Sequence, residues 1–63
     1  MTLEHKQYKI CSFKNGDDWK ICVCYKADTC NPIIIQFYSC ALFTEKEVLS
    51  IGLSYVEGIC KLN

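Results

Sequence analysis

The chain has 63 residues, 51% of them hydrophobic, and its seven lysines and seven acidic residues, with no arginine, give a formal net charge of zero. That length allows one domain over residues 1–63 and excludes a second core. A chain this short buries only about 60% of its unfolded surface, so a disulfide, a metal or a partner chain is the usual support. The apolar content excludes disorder, and neutrality without arginine disfavours nucleic acid as a partner.

No run approaches the roughly 18 apolar residues of a membrane span, and Met1-Thr2-Leu3-Glu4-His5-Lys6 has no signal-peptide core. No membrane association is expected, and an initiator methionine followed directly by a folding pattern reads as a complete cytoplasmic polypeptide. Six cysteines, Cys11, Cys22, Cys24, Cys30, Cys40 and Cys60, would suggest a disulfide framework in a secreted protein. Without a signal segment, free thiols are expected.

The first strand expected, over residues 7–14, alternates: Tyr8, Ile10 and Ser12 share one face, Lys9, Cys11 and Phe13 the other. Asn15-Gly16 follows, a strong hairpin signal because a type I′ turn needs positive φ at both central residues. If these two form the loop, Lys14 opposes Asp17, Ile10 opposes Ile21 and Tyr8 opposes Val23. The second strand, over residues 19–27, then matches apolar to apolar, with Trp19, Ile21, Val23 and Tyr25 on one face and Lys20, Cys22, Cys24 and Lys26 on the other. Ala27-Asp28-Thr29-Cys30-Asn31-Pro32 has loop composition.

Residues 33–43, rich in β-branched and aromatic side chains, are expected as a third strand. Pairing Ala27 with Ile33 sets Tyr25 opposite Ile35 and Val23 opposite Phe37, and places Ile34, Gln36, Tyr38 and Cys40 on the lysine and cysteine face. A one-residue slip at this loop would reverse the faces of the whole strand.

The helix is expected over residues 45–61. Thr44-Glu45-Lys46-Glu47 fits a capping box, and acidic residues in the first turn with Lys61 in the last suit the helix dipole. Val48, Leu49, Ile51, Gly52, Leu53, Tyr55, Val56, Ile59 and Cys60 fall in one arc of about 200°, wider than a small sheet usually covers. Part of that arc is expected to meet a second molecule. The fold class is therefore α+β, a three-stranded antiparallel meander followed by one C-terminal helix.

Zinc chemistry finds little support. The only close pair, Cys22-Val23-Cys24, lies inside a strand, where residues two apart are separated by roughly 6.5–7 Å at Cα. The same spacing is at or past the limit for a disulfide, and Cys11 with Cys22 would be a diagonal pair at about 7–8 Å. His5, the lone histidine, lies near a terminus and is expected to be solvated. Asp17 and Asp18 are explained by turn chemistry, and no phosphate loop or nucleophile elbow occurs. No enzyme activity, cofactor or metal is expected.

The unusual surface is the outer sheet face, expected to carry Lys9, Cys11, Phe13, Lys20, Cys22, Cys24, Lys26, Ile34, Gln36, Tyr38 and Cys40. Exposed faces of antiparallel sheets ordinarily read polar, and an apolar patch on a small protein usually marks an interface. The order of elements, with the helix entered through Phe43-Thr44-Glu45-Lys46-Glu47, resembles DNA-binding domains of plant and integrase-arm type that read the major groove with an exposed sheet. Those domains rely on strand arginines, which this chain lacks, so no site is carried across.

The expected function is a small non-enzymatic interaction module, an inhibitor, modulator or adaptor that binds a protein partner through its outer sheet face, strand edges or helix. A homodimer is one form of that expectation. A sheet-face nucleic-acid binder and a thiol or metal protein are the alternatives. The lysine-only, isoleucine-rich composition with asparagine suggests an AT-rich genome and fits a phage or mobile-element origin.

Overall fold

Alternating side chains and two-residue turns build most of the molecule. The computed structural model describes residues 1–62, which form four strands and one helix: β1 (Thr2–His5), β2 (Tyr8–Asn15), β3 (Asp18–Tyr25), β4 (Ile34–Ser39) and α1 (Glu45–Leu62). The strands run antiparallel in the order β1-β2-β3-β4, so the fold is α+β with one strand more than the sequence suggests.

The additional strand is β1. It joins β2 through Lys6 and Gln7, with His5 opposite Tyr8. Lys6 takes the left-handed conformation (φ 57°) that turn glycines usually supply. With neither glycine nor asparagine at the bend, the hairpin has no turn code to read.

The β2–β3 hairpin turns at Gly16-Asp17 rather than Asn15-Gly16, because Asn15 pairs with Asp18. Gly16 has φ 65° and Asp17 does not share the positive region, which suits a turn with glycine in its first central position. The register moves by two residues from expectation: Ile10 opposes Val23 and Ser12 opposes Ile21. A shift of two preserves every face, so both apolar faces still coincide.

The second connection breaks the expectation. Val23 opposes Ile34, Ile21 opposes Gln36 and Trp19 opposes Tyr38. Relative to the expected pairing this is an odd displacement, which turns the strand over. Ile34 and Tyr38 pack against the core, while Ile35 and Phe37 take the outer face. The strand also stops at Ser39, and the backbone turns there, with the Phe43 amide donating to the Ser39 carbonyl at 3.0 Å.

The core lies between the sheet and α1. Ile10, Ile21 and Val23 meet Val48 and Val56, all fully buried, with Tyr8 and Leu49 at the margin. The helix begins as its sequence indicates: the Glu47 amide donates to Thr44 Oγ1 at 3.2 Å, and the Thr44 amide donates to Glu47 Oε1 at 2.9 Å. Ser12, a buried polar residue, donates through its hydroxyl to Glu45 Oε2 at 3.0 Å, which satisfies it and fixes the first helical turn over β2. The Trp19 indole N–H donates to the Phe43 carbonyl at 3.0 Å and anchors the chain leading into the helix.

The wide apolar arc of α1 is largely used within the chain. Leu53, Ile59 and Cys60 pack against the core, Tyr55 is half-buried, and over residues 45–61 no helical residue is among the exposed large apolar side chains. The helix lies mainly over β2 and β3, reaches β1, and meets β4 at the sheet edge through the Tyr38–Tyr55 hydroxyl contact. No helix is long and apolar enough to cross a membrane among the described residues.

Candidate functional site

The sheet face away from α1 is assembled in cross-strand rows. Thr2, Cys11, Cys22 and Ile35 form one; Glu4, Lys9 and Cys24 form the next; Phe13, Lys20 and Phe37 form a third. In the third row the Lys20 ammonium sits 5.5 Å from the Phe13 ring centroid and 5.9 Å from that of Phe37. Each contact is a cation–π interaction, worth about 0.5–1 kcal/mol at an exposed site. Lys20 thereby holds two large rings in the open: Phe13 is 45% exposed, Phe37 51% and Ile35 46%.

Six of the expected residues, Lys9, Cys11, Phe13, Lys20, Cys22 and Cys24, meet on this face. Lys26 follows the end of β3, where its ammonium pairs with Glu4 at 3.4 Å. Ile34, Gln36 and Tyr38 lie on the helix side instead, for the reason of parity given above. Tyr38 stacks edge-on against Phe43 at 5.4 Å between centroids, and its hydroxyl lies 3.2 Å from that of Tyr55. This shared hydrogen bond, with burial, pushes the Tyr38 phenol up to about 12. Cys40 falls in the turn after β4. Ile35 and Phe37 replace the three misplaced residues and make the face more apolar than expected.

Strand β4 is also an open edge, and its chemistry differs from that of the edge at β1. The Cys40 amide donates to the Asp17 carbonyl at 2.9 Å, so that position of the ladder is hydrogen-bonded. Bonded and open pairs alternate along an antiparallel ladder. Ile34, Gln36 and Tyr38 therefore aim their backbone groups at β3, whereas Ile35 and Phe37 aim theirs outward. Natural edges are blunted by charges, prolines or bulges. Edge β1 carries Glu4 and His5, but the six residues of β4 carry no charge.

Charged groups near the face are unevenly satisfied. Glu4 pairs with Lys26, and Glu57 takes contacts from His5 and Lys6, while Lys9 and Lys20 have no ion pair among the described residues. The outer face thus has two unneutralised ammonium groups beside its apolar side chains.

His5 is not free in solvent as expected. Its Nε2 shares a short hydrogen bond with Glu57 Oε1, and the Lys6 ammonium donates to Glu57 Oε2 at 3.3 Å. The His5 hydrogen bond, followed by that of Lys6, holds the Glu57 carboxyl below its ordinary value. These contacts tie the β1–β2 turn to the helix.

All six cysteines are free thiols. Cys24 is buried and donates to the Lys9 carbonyl at 3.7 Å; burial, and next the neighbouring Cys11, push its pKa up. Cys11 and Cys22 stand directly opposite one another, not diagonally. Among the described residues no three His, Cys, Asp or Glu side chains are placed to hold a metal ion, and no cavity opens on the surface. Comparison with protein-family models, with curated proteins and with solved structures yields no match, so the geometry of this face stands by itself.

Proposed function

We propose that the chain is a small non-enzymatic interaction module, an inhibitor, modulator or adaptor, that takes an extended segment of a protein partner against β4 and the adjoining outer face. The observation that carries this reading is the coincidence of an uncharged open edge with Ile35, Phe37 and Phe13 exposed around Lys20. Strand addition draws affinity from main-chain hydrogen bonds and selectivity from alternate side chains. Outward-facing groups at Ile35 and Phe37 supply the first. The partner chemistry that fits the second is an apolar β segment with a carboxylate placed to meet Lys20.

The second reading, a sheet-face nucleic-acid binder, is favoured by the Phe13-Lys20-Phe37 row, since exposed rings beside an ammonium can stack single-stranded bases. Neutral charge and the absence of arginine weigh against it.

Affinity capture from source-cell extract tests the two together, using the wild-type chain beside Phe37→Pro and Lys20→Glu. Proline at position 37 removes an outward amide and leaves the ladder to β3 intact. The reading expects one protein captured by the wild type and lost with Phe37→Pro. Equal capture by all three chains contradicts it, as does capture of nucleic acid that falls steeply with added salt.

A further inference from the structure

Two of the six thiols share a geometry that the others lack. Cys11 on β2 and Cys22 on β3 are cross-strand partners, their side chains share the outer face, and both are half-buried rather than sealed in the core. The Lys26 amide donates to the Gln7 carbonyl at 3.0 Å, which makes that position of the β2–β3 ladder hydrogen-bonded. By alternation the Cys11–Cys22 position is hydrogen-bonded too, with Cα atoms about 5.5 Å apart. That separation lies inside the range of about 4.4–6.8 Å that disulfides span.

We propose that Cys11 and Cys22 are a thiol–disulfide exchange site on the outer face, closing reversibly to a cross-strand disulfide with a small-molecule disulfide of the glutathione type as oxidant. One thiolate attacks a sulfur of the oxidant, forming a mixed disulfide and releasing one small thiol. The opposing cysteine loses its proton, and its thiolate attacks the protein-side sulfur of that mixed disulfide, forming the Cys11–Cys22 bond and releasing the second small thiol. Two protein thiols are oxidised, one small disulfide is reduced, and the two protein protons leave on the small thiols.

The neighbours separate this pair from other pairings. Thr2 Oγ1 lies 3.9 Å from Cys11 Sγ and donates to it, beside the open side of the pair. Cys24, diagonal to Cys11, is buried and directs its S–H at the Lys9 carbonyl, with its pKa raised. Cys22 and Cys24 lie on one strand at a spacing of roughly 6.5–7 Å, at or past the usual limit.

Cβ atoms at a hydrogen-bonded position sit at the wide end of the 4.5–5.5 Å range for directly opposed pairs, against about 3.8 Å in an unstrained disulfide. Closure must draw β2 and β3 together, and a strained bond of this kind is readily reduced. The same row continues into Ile35, so closure would reshape the proposed docking surface; that consequence rests on the functional reading above, whereas the exchange itself does not.

The test requires no partner. Reduced full-length protein is equilibrated with mixtures of oxidised and reduced glutathione, and its intact mass and disulfide-linked peptides are read by mass spectrometry. The expected product loses two hydrogens, links Cys11 to Cys22, melts at a higher temperature than the reduced form, and returns to thiols when reduced glutathione is in excess. Cys22→Ser is expected to stop at a glutathione adduct on Cys11. Retention of separate adducts on Cys11 and Cys22 in the wild type, or an internal bond joining any other pair, overturns the proposal.

Discussion

A methyl group placed on Gly52 would lie 2.7 Å from Cγ2 of Ile10, so the helix approaches β2 as closely as it does only because position 52 has no side chain. Ile10 is fully buried and has no room to move aside. Alanine ordinarily improves a helix by about 1 kcal/mol over glycine, but overpacking a core costs about 1–3 kcal/mol. Gly52→Ala is therefore expected to lose stability, by about 1 kcal/mol net. Gly58, where an added Cβ meets nothing, is the control: Gly58→Ala should gain about 0.5–1 kcal/mol. Urea unfolding of the two variants checks the opposite signs.

Tyr38 and Tyr55 form a second test of helix against sheet. The Tyr38 phenol is raised from 10.0 to about 12, first by its hydrogen bond with Tyr55 and then by burial. Its contribution to stability is complete below pH 10 and is lost as pH rises towards 12. Ultraviolet titration should show Tyr38 ionising late in the wild type, alongside buried Tyr8, which is also raised, and Tyr55→Phe should bring the Tyr38 component down towards 10. An unchanged curve in the variant would deny the contact.

Glu57 acts at the other end of the pH scale. Its carboxyl is held below the ordinary value of 4.5 by the hydrogen bond from His5 and then that from Lys6. The contribution is present above pH 4.5 and disappears as pH falls through the depressed value. Glu57→Gln should be less stable than the wild type near neutrality, with the difference shrinking in acid. Thermal melts over that range measure it.

Thiol reactivity should rank by environment. Cys30 is exposed, whereas Cys24 is buried with its pKa raised. Timed alkylation read by peptide mass spectrometry is expected to label Cys30 first and Cys24 last. Early labelling of Cys24 would contradict its placement on β3.

The parts of the fold that were legible in the sequence are those encoded locally. Thr44 and Glu47 announce the start of α1 through a capping box that forms as written, and the spacing of Val48, Gly52 and Val56 gives the buried stripe. The turn at Gly16 sits one residue along from the expected loop, which shifts the register by two, and that even displacement leaves Ile10 and Ile21 in the core. Two features escaped for physical reasons. Lys6 adopts a positive φ that its residue type does not advertise, so the sequence does not signal β1 or the placement of His5 against Glu57. The loop between β3 and β4 has no two-residue turn code, and its length alone decides which face Ile35 and Phe37 occupy. Of the eleven residues expected on the outer face, Lys9, Cys11, Phe13, Lys20, Cys22 and Cys24 follow from β2 and β3; Ile34, Gln36 and Tyr38 give way to Ile35 and Phe37 through the register of β4, and Lys26 and Cys40 lie beyond the strand ends.

The central claim is that the open edge of β4, together with the outer face, receives a protein partner. Amide hydrogen exchange of the free chain and of its complex with the captured partner tests that claim most directly. In the free chain Ile35 and Phe37 amides should exchange rapidly, and those of Ile34, Gln36 and Tyr38 slowly. Binding should protect Ile35 and Phe37 selectively. Unchanged exchange at these two amides in the complex, with protection appearing on the exposed side of α1 around Ser50 and Ser54, would contradict the account.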